Sequence, residues 1–487
     1  MDSINSFKGY GKVDELEQRA FRKKTRKRII ILVVSSVVLV AVIVAAVAGV
    51  LINQRNSSSS SDNSVPASGL TPAASLKAVC DVTLYPASCY SSISSLPDSN
   101  TTDPEMLFNL SLRVALYELS KLSQYPSKLR ANAMEPRLQK AIGVCGTVLD
   151  DALDRLNESL SSLEIGGGEK HLSSAKIADL RTWLSATITD QETCLDALEE
   201  LNSTAGNATL HNVRTAMANS TQFASNSLAI ATKILVLIGI FDIPIHRRLL
   251  GFGGSEPGFP DWVGSAERRL LQENTTTPHL VVAKDGSGQF KTIKEAMATV
   301  PKKSPTRHVI YVKEGEYVEN IDLDKNTWNV MIYGDGKDKT IVSGSLNYND
   351  GTPTFETATF AVKGKGFIAK DIAFKNTAGA DKHQAVAFRS GSDMSVFYRC
   401  LFDGFQDTLY AHSNRQFYRD CDITGTVDFI FGNAAVVFQN CNIMPRQPLP
   451  NQFNTITAQG KKDPNQNSAM SIQKCKISAL DKLTAPT

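Results

Sequence analysis

The chain lacks an excess of charge of either sign: 52 Lys/Arg stand against 49 Asp/Glu in 487 residues, a net +3. Charged residues make up 21% and apolar residues 42%, ordinary values for globular protein, so the chain as a whole is not disordered. It also lacks any Cys-X-X-Cys pair, which takes away the usual sequence sign of a thiolate metal site among its eight cysteines. Neither a metal nor an organic cofactor is expected, and nucleic acid is not an expected partner. Long helical patterns are missing after Leu280. The balanced total hides an asymmetry. Residues 1–28 hold nine Lys/Arg against four Asp/Glu, residues 29–278 hold 18 against 24, and residues 279–487 hold 25 against 21. A basic C-terminal part does not repel a polyanionic substrate.

Residues 29–52 form an apolar run interrupted only by Ser35 and Ser36, preceded by RKKTRKR. That length spans a bilayer core of about 30 Å, and the positive flank leaves residues 1–28 as a cytosolic tail. A signal anchor is the expected reading; a cleaved signal peptide competes, but its apolar core is shorter and starts nearer Met1. Everything after Asn53 is then lumenal or extracellular. Eight Asn-X-Ser/Thr sequons agree with this: Asn56, Asn100, Asn109, Asn157, Asn202, Asn207, Asn219 and Asn274, all before His279.

Residues 53–75 read as a Ser-rich linker. Residues 76–243 show apolar residues three and four apart, as in LQKAIGVCGTVLDDALDRLNESL, which predicts a bundle of four or more helices. Cys80 and Cys89 are close enough for a local bridge, leaving Cys145 to join Cys194 between helices. Residues 244–278 form a second, Gly/Pro-rich linker that carries RRLL twice, with dibasic pairs Arg247–Arg248 and Arg268–Arg269. Dibasic pairs in an exposed linker are accessible to a processing protease.

From residue 279 the texture changes to short β-rich runs about 20 residues apart, which fits a parallel β-helix; a β-sandwich gives similar runs. Cys400, Cys421 and Cys441 follow the same interval, with Cys475 further on. So do Asp407, in GFQDTLY, and Asp428, in GTVDFIFG. If the interval is one coil, two carboxylates emerge side by side, one pKa rises, and a protonated acid stands beside an ionised nucleophile. Gln384 and Gln406, also about one coil apart, offer amide donors for an oxyanion. Of the nearby aromatics Phe388, Phe405, Tyr410, Phe429 and Phe431, some belong to the core and a few can floor a site for sugar rings.

The segments DGSGQFKTIKEA, GTPTFETATF, KNTAG, KHQAVAFR, GFQDTLYAHSNRQFYRDCDITGTVDFIFGNAAVVFQNC and NQNSAMSIQKC resemble, in order, the motifs of plant pectin methylesterases across residues 279–487. The segment CDVTLYPASC, with the later two cysteines, resembles the pectin methylesterase/invertase inhibitor family. The likeness implies an inhibitor-like helical pro-domain and a right-handed parallel β-helix acting on the methyl esters of cell-wall homogalacturonan, kept latent until a protease cuts at RRLL. It implies Asp428 as nucleophile, Asp407 as acid and base, Gln406 at the oxyanion, and Thr354 and Gln384 as substrate contacts. His383 and His412 are taken as structural. It favours a Cys421–Cys441 disulfide, with Cys441–Cys475 left open. It further implies a segment beyond Thr487 carrying an Arg and a Trp, so the chain as written is expected to have little esterase activity. A cell-wall location after release is expected. Two alternatives remain: a pectate lyase or polygalacturonase on the same fold, whose carboxylate clusters are not found, and a helical domain that acts by itself as an esterase or invertase inhibitor.

Overall fold

The helices begin where the sequence supplies both a fixed φ and a cap. In the computed structural model, α1 (Pro72–Asp81), α2 (Pro86–Ser94) and α3 (Pro104–Ser120) each start on proline, with Thr71 and Asp103 accepting backbone N–H groups at two of the starts. After α4 (Tyr125–Asn132) come the long helices α5 (Pro136–Glu164), α6 (Ser174–Glu199) and α7 (Thr204–Ile230), the last two capped by Ser173 and Ser203. The structure describes residues 71–164, 172–236, 258–272, 277–450, 452–480 and 483. The expected tail at 1–28, the anchor at 29–52, Asn56, Asn274, Arg247 and Arg248 lie outside the described residues. Among the described residues no helix is long and apolar enough to cross a membrane.

On α5 the residues Leu138, Ile142, Cys145, Leu149, Ala152 and Leu156 recur every three or four positions and are all buried. The opposite stripe of the same helix carries Asp150, Asp151, Asp154 and Glu158. α6 differs in being buried on both sides. Leu180, Leu184 and Ile188 enter the bundle core, while Thr182, Ser185, Thr189 and Thr193 are buried against the β-domain. Disulfides join Cys80 to Cys89 and Cys145 to Cys194.

After residue 279 the chain winds into three all-parallel sheets of eight, six and seven strands, each strand pairing with its counterparts on neighbouring coils. This is a parallel β-helix and not a sandwich. Its interior holds in-register aromatic ladders, with Phe397 and Tyr418 stacked at 4.4 Å between centroids and Tyr418 and Phe438 at 4.9 Å. At one corner of each coil a residue at positive φ makes the turn: Arg399, Asp420, Asn440 and Lys474. A cysteine follows each of them.

Those four cysteines form a ladder of thiols, so the expected Cys421–Cys441 disulfide is corrected: both are free, as are Cys400 and Cys475. Asp422 pairs with Leu401 and with Asn442, which places the preceding cysteines at one register position. In-register side chains on parallel neighbours run alongside one another instead of converging, as a disulfide needs. Each thiol instead donates to backbone, Cys421 to Phe397 O at 3.4 Å and Cys441 to Gln439 O at 3.4 Å.

The second RRLL motif is not part of an exposed linker. It lies in a helix, α8 (Ser265–Gln272), whose Leu271 is buried with Val309, Met331, Ile368 and Phe417 on one sheet. Arg268 donates to the carbonyls of Val263 and Pro260.

Candidate active site

The 21-residue interval between the two aspartates is one coil. Leu409 pairs with Ile430, and the N–H groups of Asp407 and Leu409 donate to Val427 O (3.0 Å) and Phe429 O (2.9 Å). Asp407 and Asp428 therefore share one register position, just before adjacent strands. Both have positive φ, +63° and +49°, a backbone state that aspartate tolerates better than most residues. Strain of this kind is common where side chains are held for function.

Both carboxyls line a cleft of about 380 Å³, together with Thr354, Tyr410 and Phe431. Tyr410 and Phe431 stack at 4.1 Å between centroids. Phe388 and Phe429 belong to the core, and Phe405 lies under the Arg446 guanidinium at 4.2 Å. Burial raises the Asp407 carboxyl well above the usual range; the Asp428 charge adds to this and the Glu200 charge adds less. A buried acid that holds its proton beside a more accessible carboxylate is the arrangement expected from the spacing.

The amides are placed less directly. Gln384 and Gln406 are half-buried beside the cleft, their carbonyls accepting from Tyr348 and Ala385, and neither side chain lines it. His412 is buried and paired with Thr193 Oγ1 at 2.9 Å, and burial lowers its pKa to about 3, so it stays neutral. His383 is exposed, at positive φ.

Sequence reasoning missed the opposite wall. It is built by the helical domain: Glu192, Thr193 and Asp196 of α6, and Glu200 just after it. Glu200 accepts the Thr354 N–H at 3.2 Å, and Tyr348 donates to its carbonyl oxygen. Burial raises the pKa of Glu192, Asp196 and Glu200; neighbouring acids add to this, while Lys462, lining the same cleft, opposes it at Glu192 and Asp196, and the Thr354 hydrogen bond opposes it at Glu200. The signal was present as an acidic residue at every fourth position, 192, 196 and 200, on a helix whose Thr and Ser stripe is too polar for a bundle core.

Docking continues beyond the cleft. Asn467 donates to Thr182 Oγ1 at 2.9 Å, Ser225 to Asp463 at 2.5 Å, and Arg415 to Asp179 at 2.6 Å. Of the described sequons, Asn100, Asn157, Asn202, Asn207 and Asn219 are exposed and Asn109 is half-buried.

Residues 279–487 match the pectinesterase family, and residues 74–230 match the plant invertase/pectin methylesterase inhibitor family. Pectinesterase 3 of Phaseolus vulgaris is 71% identical over 493 aligned residues, which cover 100% of this chain and 83% of the relative. Pectinesterase 1 of Arabidopsis thaliana is 63% identical, over 100% of this chain and 83% of its own length. A solved pectin methylesterase from carrot is 56% identical over 43% of this chain and 65% of that one, with a TM-score of 0.42.

Proposed function

Since this chain belongs to the pectinesterase family of carboxylic ester hydrolases, we propose that its aspartate pair hydrolyses the C6 methyl esters of homogalacturonan, giving pectate and methanol. The observation that carries this is the in-register placing of Asp407 and Asp428 in one cleft, with the Asp407 carboxyl kept protonated by burial. The Asp428 carboxylate attacks the ester carbonyl carbon. As the tetrahedral intermediate collapses, the methoxy group leaves with the proton of Asp407, and an acyl-enzyme remains on Asp428. Asp407, now ionised, takes a proton from water as that water attacks the acyl carbon. Collapse frees the galacturonic acid, which gives its carboxyl proton to solvent, and restores both aspartates. The family likeness assigns Gln406 to the oxyanion and Thr354 and Gln384 to the sugar; of these, Thr354 lines the cleft while the helical domain is docked.

The helical domain keeps this site latent. Support comes from Glu200, which holds the backbone of Thr354, a predicted substrate contact. Proteolysis near residues 244–278 releases the domain; the second RRLL, held in a helix by buried Leu271, favours cutting at Arg247–Arg248 over cutting at Arg268–Arg269 in place. Disulfides in the helical domain and sequons on its surface support a secretory route, by way of the residue 29–52 anchor, to the cell wall.

Methanol release from methylesterified pectin tests the reaction, in a chain opened by Thr193→Trp, a bulky residue wedged between α6 and His412. Asp428→Asn in that opened chain should abolish release. Chain scission without methanol would instead support a lyase or polygalacturonase.

A further inference from the structure

Phe355 and His412 line both the catalytic cleft and a second one of about 330 Å³, which the mechanism does not use. Its two walls carry opposite charge. On the β-helix side stand Lys303, Lys325, Lys363, Lys365 and Arg389; on the other side lies the acidic stripe of α5, with the cation Arg155 on it. The groups pair across the gap. Lys325 Nζ is 2.6 Å from Asp150 and 2.7 Å from Asp154, Lys365 is 3.4 Å from Glu158, and Lys363 is 3.9 Å from Asp151.

The β-helix wall also has binding capacity that α5 leaves unused. Arg389 is only 2% exposed; its Nε donates to Phe355 O at 3.0 Å and its Nη2 lies 3.8 Å from Asp322, but Nη1 has no hydrogen-bond partner. A buried guanidinium N–H without a partner is costly, and a carboxylate is the group that suits it best. The Trp328 ring lines the same cleft, with the Lys365 ammonium 4.1 Å above its centroid. Among the described residues Asp322, 58% exposed, is the one acid in the ion pairs of this wall that belongs to the β-helix itself. Buried Asp190 also faces the cleft, but it lies on α6 and leaves with the helical domain.

We propose that this cleft binds the free carboxylates of de-esterified galacturonan, and that the Asp150–Glu158 stripe of α5 occupies it as a stand-in while the helical domain is docked. The identity of the polyanion rests on the pectinesterase reading. With α5 gone, five cations and one anion face a groove that shares Phe355 and His412 with the aspartate cleft. A uronate run just produced there meets a complementary field, and an esterified run, which is neutral, does not.

The test uses the full chain and polygalacturonate as the probe. Asp150→Asn, Asp151→Asn, Asp154→Asn and Glu158→Gln together remove the stand-in. Thr193→Trp, made separately, opens the interface with every groove residue intact. Both chains should bind polygalacturonate at least tenfold more tightly than the parent, with affinity that falls as salt is added. Adding Lys325→Gln, Lys363→Gln and Lys365→Gln should return either chain to the parent value. No gain in either opened chain, a gain that survives the lysine substitutions, or an equal gain for fully methylesterified pectin would overturn the proposal. Methanol release by the same samples reports on the aspartates separately: release that Asp428→Asn leaves unchanged refutes the esterase reading and leaves the groove standing.

Discussion

The helical domain presses carboxylates onto the β-helix in two places, with opposite consequences. Along α5 they meet lysines, and Asp150, Asp154 and Glu158 gain partners within 3.4 Å. At the end of α6 they meet other acids, so that Glu192, Asp196 and Glu200 face Asp407 and Asp428 across one cleft. The first contact holds the domains together. The second works against docking whenever the acids ionise. Closure over the active site is thus secured beside the chemistry and not at it, and the acid-on-acid contact is where closure is most easily undone.

The largest expected effect separates chemistry from closure. In the opened chain, Asp428→Asn should lower methanol release by at least about 10³-fold, while leaving polygalacturonate affinity unchanged. Asp407→Asn should cost about 10²- to 10⁴-fold in the same assay.

Next in size is pH. Burial raises the carboxyls of Glu192, Asp196, Glu200 and Asp407 in the docked state, so docking binds protons. Their contribution to docking is present below the ordinary carboxylate pKa of about 4 and is lost as pH climbs through the raised values. Hydrogen exchange of α6 should therefore speed up between about pH 5 and about pH 8 beyond its chemical rate, and exchange in α5 should follow it. Protection that does not change with pH would remove the contrast between the two contacts.

Single substitutions should then move the two contacts in opposite directions. Lys325→Gln should loosen docking by about 1 kcal/mol, a modest figure because Asp150 and Asp154 are largely exposed. Glu200→Gln should tighten docking at about pH 8 and do little at about pH 5, read by the same exchange measurement. The smallest effect is expected for Thr193→Val, which removes the hydroxyl beside the neutral His412 at a cost of about 1 kcal/mol.

What the sequence revealed and what it hid follow from how far each signal reaches. The helices of the bundle were legible because Leu138 to Leu156 repeat within one element, and the β-helix because its coils repeat about every 20 residues. The same repeat brought Asp407 to Asp428, since register turns a sequence interval into a neighbour. At Cys421 and Cys441 it was the family likeness that misled: the interval of one coil stacks these two side chains, and stacking is not bonding. The exposed linker failed at its second RRLL because the leucines, apolar enough to cover a sheet, pulled the dibasic pair into a helix. The interdomain contacts left no trace of this kind. Lys325 and Asp150 are 175 residues apart, and nothing local in either segment names the other. The acidic stripe on α5 reads as a solvated face until the lysines are seen beneath it.

Methanol release from methylesterified pectin by the Thr193→Trp chain, with and without Asp428→Asn, tests the central claim most directly. The account predicts that the opened chain releases methanol faster than the parent, and that Asp428→Asn brings release down to background. Release from the opened chain that stays the same when the Asp428 carboxylate is removed would contradict it.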